Sequence, residues 1–153
     1  MLMSAPCPRV AVRAILVHNK HLLLVNAYKG GKHPLMCAPG GGVERGSSLP
    51  DNLRREVYEE TGLSINVGAP CLVNEFHDPN GSFHQIDIYF TCTLQGGPEI
   101  DPNWRDTGAV VSKWQWVSEA GLAHVPHKPD SLRAVAFGPA VEAIYDPLEP
   151  IVR

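Results

Sequence analysis

Glu56, Glu59 and Glu60 fall at spacings of three and four within residues 49–61, LPDNLRREVYEET. A helix turns about 100° per residue, so positions i, i+3 and i+4 share a face and the three carboxylates converge on one edge. Like charges at these spacings repel and weaken an isolated helix, and the edge therefore calls for a positive partner. A carboxylate set of this kind points to a hard divalent cation such as Mg²⁺, which takes oxygen ligands and keeps water positions for substrate phosphates.

The neighbouring residues supply what such a helix needs. LMCAP, residues 35–39, reads as a short apolar strand that delivers the chain to a glycine turn, Gly40, Gly41 and Gly42. Ser48 with Asp51 approximates a capping box, and Pro50 suits a first turn, where its missing N–H has no intrahelical partner. Leu49, Leu53 and Val57 form an apolar stripe beside the carboxylates, so the helix can dock on a core while its acidic edge faces a cleft. Gly62 stands where a left-handed cap belongs, with Leu63 as the accompanying apolar contact.

Around this segment the chain reads mostly as strands. RVAVRAILV, residues 9–17, is β-branched; HNKH, 18–21, is a hairpin turn in which His18 and His21 are turn residues, and a second strand follows. YKGGKHP, 28–34, is a loop from which Lys29, Lys32 and His33 could reach a phosphate, although a solvated loop is the simpler account. Strands are expected at 63–67 and 71–77, then an Asn80-Gly81 turn and a long strand from Phe83, with His77 and His84 as a cross-strand pair. Residues 95–108 form a long loop with Glu99, Asp101, Trp104, Arg105 and Asp106, a mixture suited to a base or phosphate. The run 110–117 is the last strand, SEAGL opens a short helix capped by Ser118, and residues 130–146 read as a helix kinked at Gly138-Pro139, followed by a tail.

Length and composition narrow the function classes. A chain of 153 residues with 44% apolar and 19% charged residues fits one globular domain, residues 1–153. Its formal charge of −3 argues against an extended nucleic-acid footprint and leaves room for a small anionic ligand carried by a metal. MLMSAPCPRV has neither a basic n-region nor an apolar core, and no later run is long enough to span a bilayer, so no membrane partner and a cytoplasmic location are expected. Cys7, Cys37, Cys71 and Cys92 lie far apart with no CxxC pair and read as buried thiols.

Residues 41–63 resemble the signature of the Nudix (MutT-like) hydrolase family, G(x5)E(x7)REUxEExGU with U aliphatic. Gly41, Arg55, Glu56, Val57, Glu59, Glu60, Gly62 and Leu63 occupy its fixed positions, and Ser47 stands where the family has glutamate. The resemblance implies an α/β fold, the Nudix-type α/β/α sandwich with a central mixed β-sheet. It also implies Mg²⁺-dependent hydrolysis, with Mn²⁺ as a substitute, of a pyrophosphate bond in a nucleotide or nucleoside-diphosphate derivative. Carried over by position, Glu56, Glu59, Glu60 and the Gly40 carbonyl are metal ligands, and Arg55 orients the carboxylates. Glu56 is the candidate base within the motif, with Asp106 and Glu119 as weaker candidates on later loops.

Ser47 opens two alternatives, a slow enzyme or a domain that binds a nucleotide without cleaving it; Glu44 is a candidate to compensate for the missing charge. Arg13, Glu75, His77, Tyr89, Trp104 and Asp106 are candidates for substrate binding. The partner expected is a small nucleotide, and a homodimer is left open.

Overall fold

The β-branched run near the start of the chain forms β1, Arg9–His18, and three other strands pair with it. The computed structural model describes residues 6–140 and 142–153; the reading of residues 1–5 lies outside them. Asn19 and Lys20, at φ 47° and 62°, turn β1 into β2, His21–Asn26, and positive φ at both central positions matches the right-handed twist of a hairpin. β3, Met36–Cys37, pairs with β2, and β4, Gly40–Gly42, pairs with β1. The expected glycine turn is thus a short strand. A Cβ on Gly40 would overlap the Val12 carbonyl, so only glycine lets the backbone come this close.

β5, Ile65–His77, and β6, His84–Leu94, form the long hairpin, and β6 runs parallel to β1. The two strands expected at 63–67 and 71–77 are one, with register shifts on either side of Pro70, which cannot donate to the ladder. β7, Trp114–Ser118, begins later than expected because Ser112 and Lys113 give their N–H groups to Asn26 Oδ1 instead of a strand. α1, Leu49–Thr61, packs on one face of the sheet through Leu53 and Val57 against Val12, Ala14, Leu16 and Phe90. α2, Glu119–Leu122, and α3, Leu132–Phe137, cover the other face through Leu122 and Leu132 against Ile15, Leu72 and Tyr89. The result is an α/β/α sandwich on a mixed sheet.

The carboxyl-terminal helix is shorter than expected and stops instead of kinking. Gly138 is extended, as a residue before proline prefers, and a Cβ there would press on the Ala134 carbonyl. The tail then supplies two small strands, β8, Ile144–Tyr145, and β9, Glu149–Pro150, both parallel to β5. Cys37, Cys71 and Cys92 form no disulfide; burial pushes their thiols up to about 11, 11 and 12. No helix among the described residues is long and apolar enough to cross a membrane.

The edge of β1 positions the site. Its first half pairs with β4, Ala11 to Arg13 against Gly42 to Gly40, while its end pairs with β2 at Val17 and His18. The two neighbours part between these points, and a cleft opens at the split.

Candidate active site

The cleft has a volume of about 300 Å³ and is lined by Gly40, Gly41 and Gly42 on one side and Glu56, Glu59 and Glu60 on the other. Ser48 Oγ accepts from Asp51 N and Gly62 closes α1 at φ 74°, so the caps set the helix in place as its sequence demands. A Cβ on Gly41 would collide with the Glu56 carboxylate, so glycine here lets that side chain lie against the strand. Glu60 is 4% exposed and accepts from Gly40 N at 3.1 Å. Burial pushes the Glu60 carboxyl up to about 8 against the pull of Arg13 and the Gly40 amide. Burial raises Glu56 as well, opposed by Arg55.

Arg55 organises the carboxylates. Its Nη1 donates to Glu56 at 3.0 Å and to Glu59 at 3.4 Å. Burial works against its charge, and the glutamates, Glu56 foremost, outweigh that and raise its pKa. Glu44 comes within 3.6 Å of Arg55, but its side chain is 68% exposed, and such a pair contributes little. A neutral brace for Arg55 comes instead from Asn52, buried at 1% exposure. Its Oδ1 accepts from Arg55 Nη2 and from Glu44 N, both at 2.9 Å, while its Nδ2 donates to the carbonyls of Ser47 at 3.1 Å and Ser48 at 2.8 Å. In the sequence Asn52 carries no signal beyond being an amide beside the apolar stripe of an amphipathic helix.

Two tryptophans hold the carboxyl end of α1. The last carbonyls of a helix lack intrahelical partners. Trp104 Nε1 donates to Glu59 O at 2.9 Å and Trp114 Nε1 to Glu60 O at 2.8 Å, so the backbones of both glutamates are pinned from far along the chain, one from a loop and one from the start of β7. Trp104, a candidate for substrate contact, lines neither cavity and has this task instead, with its ring edge-on to Tyr58 at 5.3 Å. Asp106 does line the cleft, but its two oxygens accept from the amides of Gly108, Val110 and Val111 and close the loop on itself.

A second cavity of about 330 Å³ adjoins the first and shares Arg9 and Arg13 with it. Arg13 is committed within the protein: Nη1 donates to Ala38 O at 3.2 Å and Gly40 O at 3.3 Å, and Nε stands 3.6 Å from Asp87. Burial opposes its charge, and Asp87 foremost, together with Cys37, Tyr89 and Glu60, outweighs that and raises its pKa. Arg9, two rows along the same face of β1, has no side-chain partner among the described residues and lies over Gly42, where a Cβ would come within 2.5 Å of its Nη2. It was missed because a terminal arginine carries no local signal; what identifies it is its place at the junction of the two cavities.

The structure leaves the remaining candidates elsewhere or in other work. Glu75 bonds Tyr145 at 2.6 Å and His84 at 2.9 Å, and its carboxyl is held below the usual range by the Tyr145 hydroxyl first and by His84. His77 faces His84 across the hairpin at 6.3 Å between rings. Neither Glu75 nor His77 lines either cavity, whereas Tyr89 lines the second. Lys29, Lys32 and His33 also lie outside both, and Glu119 pairs with Arg133 at 3.2 Å.

Among the described residues no three acidic, histidine or cysteine groups already converge as a closed cation cage. Arg55 takes up the charge of Glu56 and Glu59, and Gly40 N holds Glu60. The donor set nevertheless fits a hard cation: Glu56, Glu59, Glu60 and the second lone pair of the Gly40 carbonyl offer oxygen alone along one cleft.

An acidic helix edge facing a glycine strand, inside an α/β/α sandwich, defines a class. Residues 8–136 match the NUDIX domain, and the chain belongs to that family. A mouse protein named nucleoside diphosphate-linked moiety X motif 6 is 33% identical over 118 residues, 77% of this chain and 34% of its own length. An ADP-ribose pyrophosphatase of Methanocaldococcus jannaschii is 34% identical over 94 residues, 59% of this chain and 53% of its own. The chain thus spans about half or less of the length of these relatives. Among solved structures, a MutT protein from Bacillus halodurans superposes with a TM-score of 0.68 at 19% identity, covering 90% of this chain and 86% of the other. A UDP-X diphosphatase gives 0.62 at 23% identity, over 88% and 60%.

Proposed function

We propose that the protein hydrolyses a pyrophosphate bond in a nucleoside-diphosphate derivative, with a divalent cation held by Glu56, Glu59, Glu60 and the Gly40 carbonyl. The observation that carries this reading is that the three glutamates and the glycine strand line one cleft, which adjoins a second cavity. The relatives named for ADP-ribose and UDP-X cleavage support the same bond class. The cation supplies neutralisation of the pyrophosphate and acidification of a water. Arg9 binds the phosphates at the junction, and Arg55 and Asn52 fix the orientation of the glutamates. Water oxygen forms a bond to phosphorus, the bridging P–O bond breaks, and Glu56 accepts the proton. Asp106 is the poorer base because its oxygens are already occupied by three amides.

The test is a melt of the protein with and without Mg²⁺ and ADP-ribose, followed by product mass analysis across nucleoside triphosphates, dinucleoside polyphosphates, ADP-ribose and nucleotide sugars. A ligand of the folded state raises Tm. The expected result is a Mg²⁺-dependent rise and a nucleoside monophosphate or pyrophosphate product from at least one compound; binding without turnover supports the sensor alternative.

A further inference from the structure

The floor of the second cavity comes from three adjacent strands. Their register sets Arg9, Gln85 and Phe76 in one row and Ala11, Asp87 and Asn74 in the next. Gln85, Asp87 and Asn74 are each 3% exposed or less, and all line the cavity. Within the protein Asn74 commits both of its amide N–H groups and Gln85 one of its two. Gln85 Nε2 donates to Asp87 Oδ1 at 2.9 Å, and Asn74 Nδ2 donates to Asp146 at 3.4 Å and Glu149 at 3.3 Å. A carboxylate only accepts, so these partners fix which way both amides face.

The amide oxygens of Gln85 and Asn74 therefore have no donor among the described residues. No buried side-chain nitrogen or oxygen among those residues is sealed away without a partner, so both oxygens open into the cavity that their residues line. The floor offers acceptors, two amide oxygens beside a carboxylate, and a buried acceptor draws a donor from a ligand. Phe76 and Phe83, with ring centroids 5.8 Å apart, line the same cavity and provide a surface for a flat ring. Three strands spaced by about 4.8 Å span the width of a two-ring base.

Resting on the hydrolase reading above, we infer that this cavity seats the base of the substrate and selects a purine bearing an exocyclic amino group, read by Gln85, Asn74 and Asp87. The phosphates then cross the junction at Arg9 into the acidic cleft. A ring without a donor would leave the amide oxygens of Gln85 and Asn74 unpaired and bind less tightly.

Calorimetry on the metal-free protein with pairs differing by one amino group tests this without turnover: AMP against purine riboside 5′-monophosphate, and GMP against IMP, with ribose 5-phosphate as a baseless probe. At least one aminated member is expected to bind about tenfold or more tightly than its partner, the scale of one or two hydrogen bonds, and ribose 5-phosphate more weakly than either. In Gln85→Leu the ratio falls toward one; if that variant does not fold, the wild-type pairs carry the test alone. Equal affinities within both pairs, no binding of any purine nucleotide, or ribose 5-phosphate binding as tightly as the nucleotides would overturn the inference. The hydrolase reading fails separately, through absence of turnover across the substrate panel.

Discussion

The acidic cleft and the acceptor-floored cavity share Arg9 and Arg13, yet they are assembled in opposite ways. The cleft draws most of its chemistry from one stretch, Gly40 to Glu60, in which a glycine strand and a capped helix face each other. The cavity is gathered from β1, β5, β6 and the carboxyl-terminal strands, with no two of its key polar groups on a single local motif except Gln85 and Asp87. In the cleft, negative charge is concentrated and then braced by Arg55, Asn52 and two indoles. In the cavity, buried amides turn their oxygens toward the space. The difference teaches that the cleft is built to handle charge and the cavity to read a pattern of donors, so variants in the two should separate turnover from selectivity.

The largest effect is expected in the cleft. Glu59→Gln and Glu60→Gln each remove a charge from the proposed cation ligands, and turnover should fall by about 100-fold or more while the protein stays folded by circular dichroism. Undiminished activity in both variants would break the assignment. Next comes the brace. Asn52→Ala should lower kcat about tenfold, and adding Ser47→Glu to it should recover much of that loss by restoring a carboxylate near Arg55. Ser47→Glu alone should raise the rate or leave it unchanged. A double variant no better than Asn52→Ala would show that Asn52 acts only through stability.

Smaller effects concern the scaffold. Trp104→Phe and Trp114→Phe each delete one donor to the end of α1 and should cost about 1–2 kcal/mol in denaturant unfolding. The metal-free protein should lose stability as pH rises from about 4.5 to about 8, because the folded Glu60 carboxyl is raised by burial and prefers its proton. That contribution is fully present below the unfolded pKa and is gone above the folded one, and Glu60→Gln should flatten the slope. Smallest of all, His77→Ala should change kcat/KM less than about threefold, since His77 lies outside both cavities.

What could be read from sequence follows the same division. The cleft was legible because helix periodicity, Ser48, Gly62 and the glycine run are local, and a local pattern needs no knowledge of strand order. The hairpin turns at Asn19-Lys20 and over residues 78–82 were legible for the same reason, although the second closes through Gly81 N to Asp78 O with neither Asn80 nor Gly81 at positive φ. Trp104 was misplaced because an indole in a loop says nothing about which carbonyl it will meet 45 residues earlier. Glu75 and His77 lie next to Asn74 and Phe76, and strand alternation puts neighbours on opposite faces, so without the register the wrong pair was singled out. The tail became β8 and β9 only because β5 offered it a free edge, which no property of residues 144–150 discloses.

The acidic helix edge, Glu56 to Glu60, is the centre of the account, and hydrolysis in ¹⁸O-labelled water with and without Mg²⁺ tests it most directly. For a nucleoside-diphosphate derivative that the protein consumes, the account predicts Mg²⁺-dependent cleavage between two phosphorus atoms, with one ¹⁸O in one phosphate-bearing product. Label in a sugar hydroxyl, turnover indifferent to Mg²⁺, or no products from any member of the panel would contradict it.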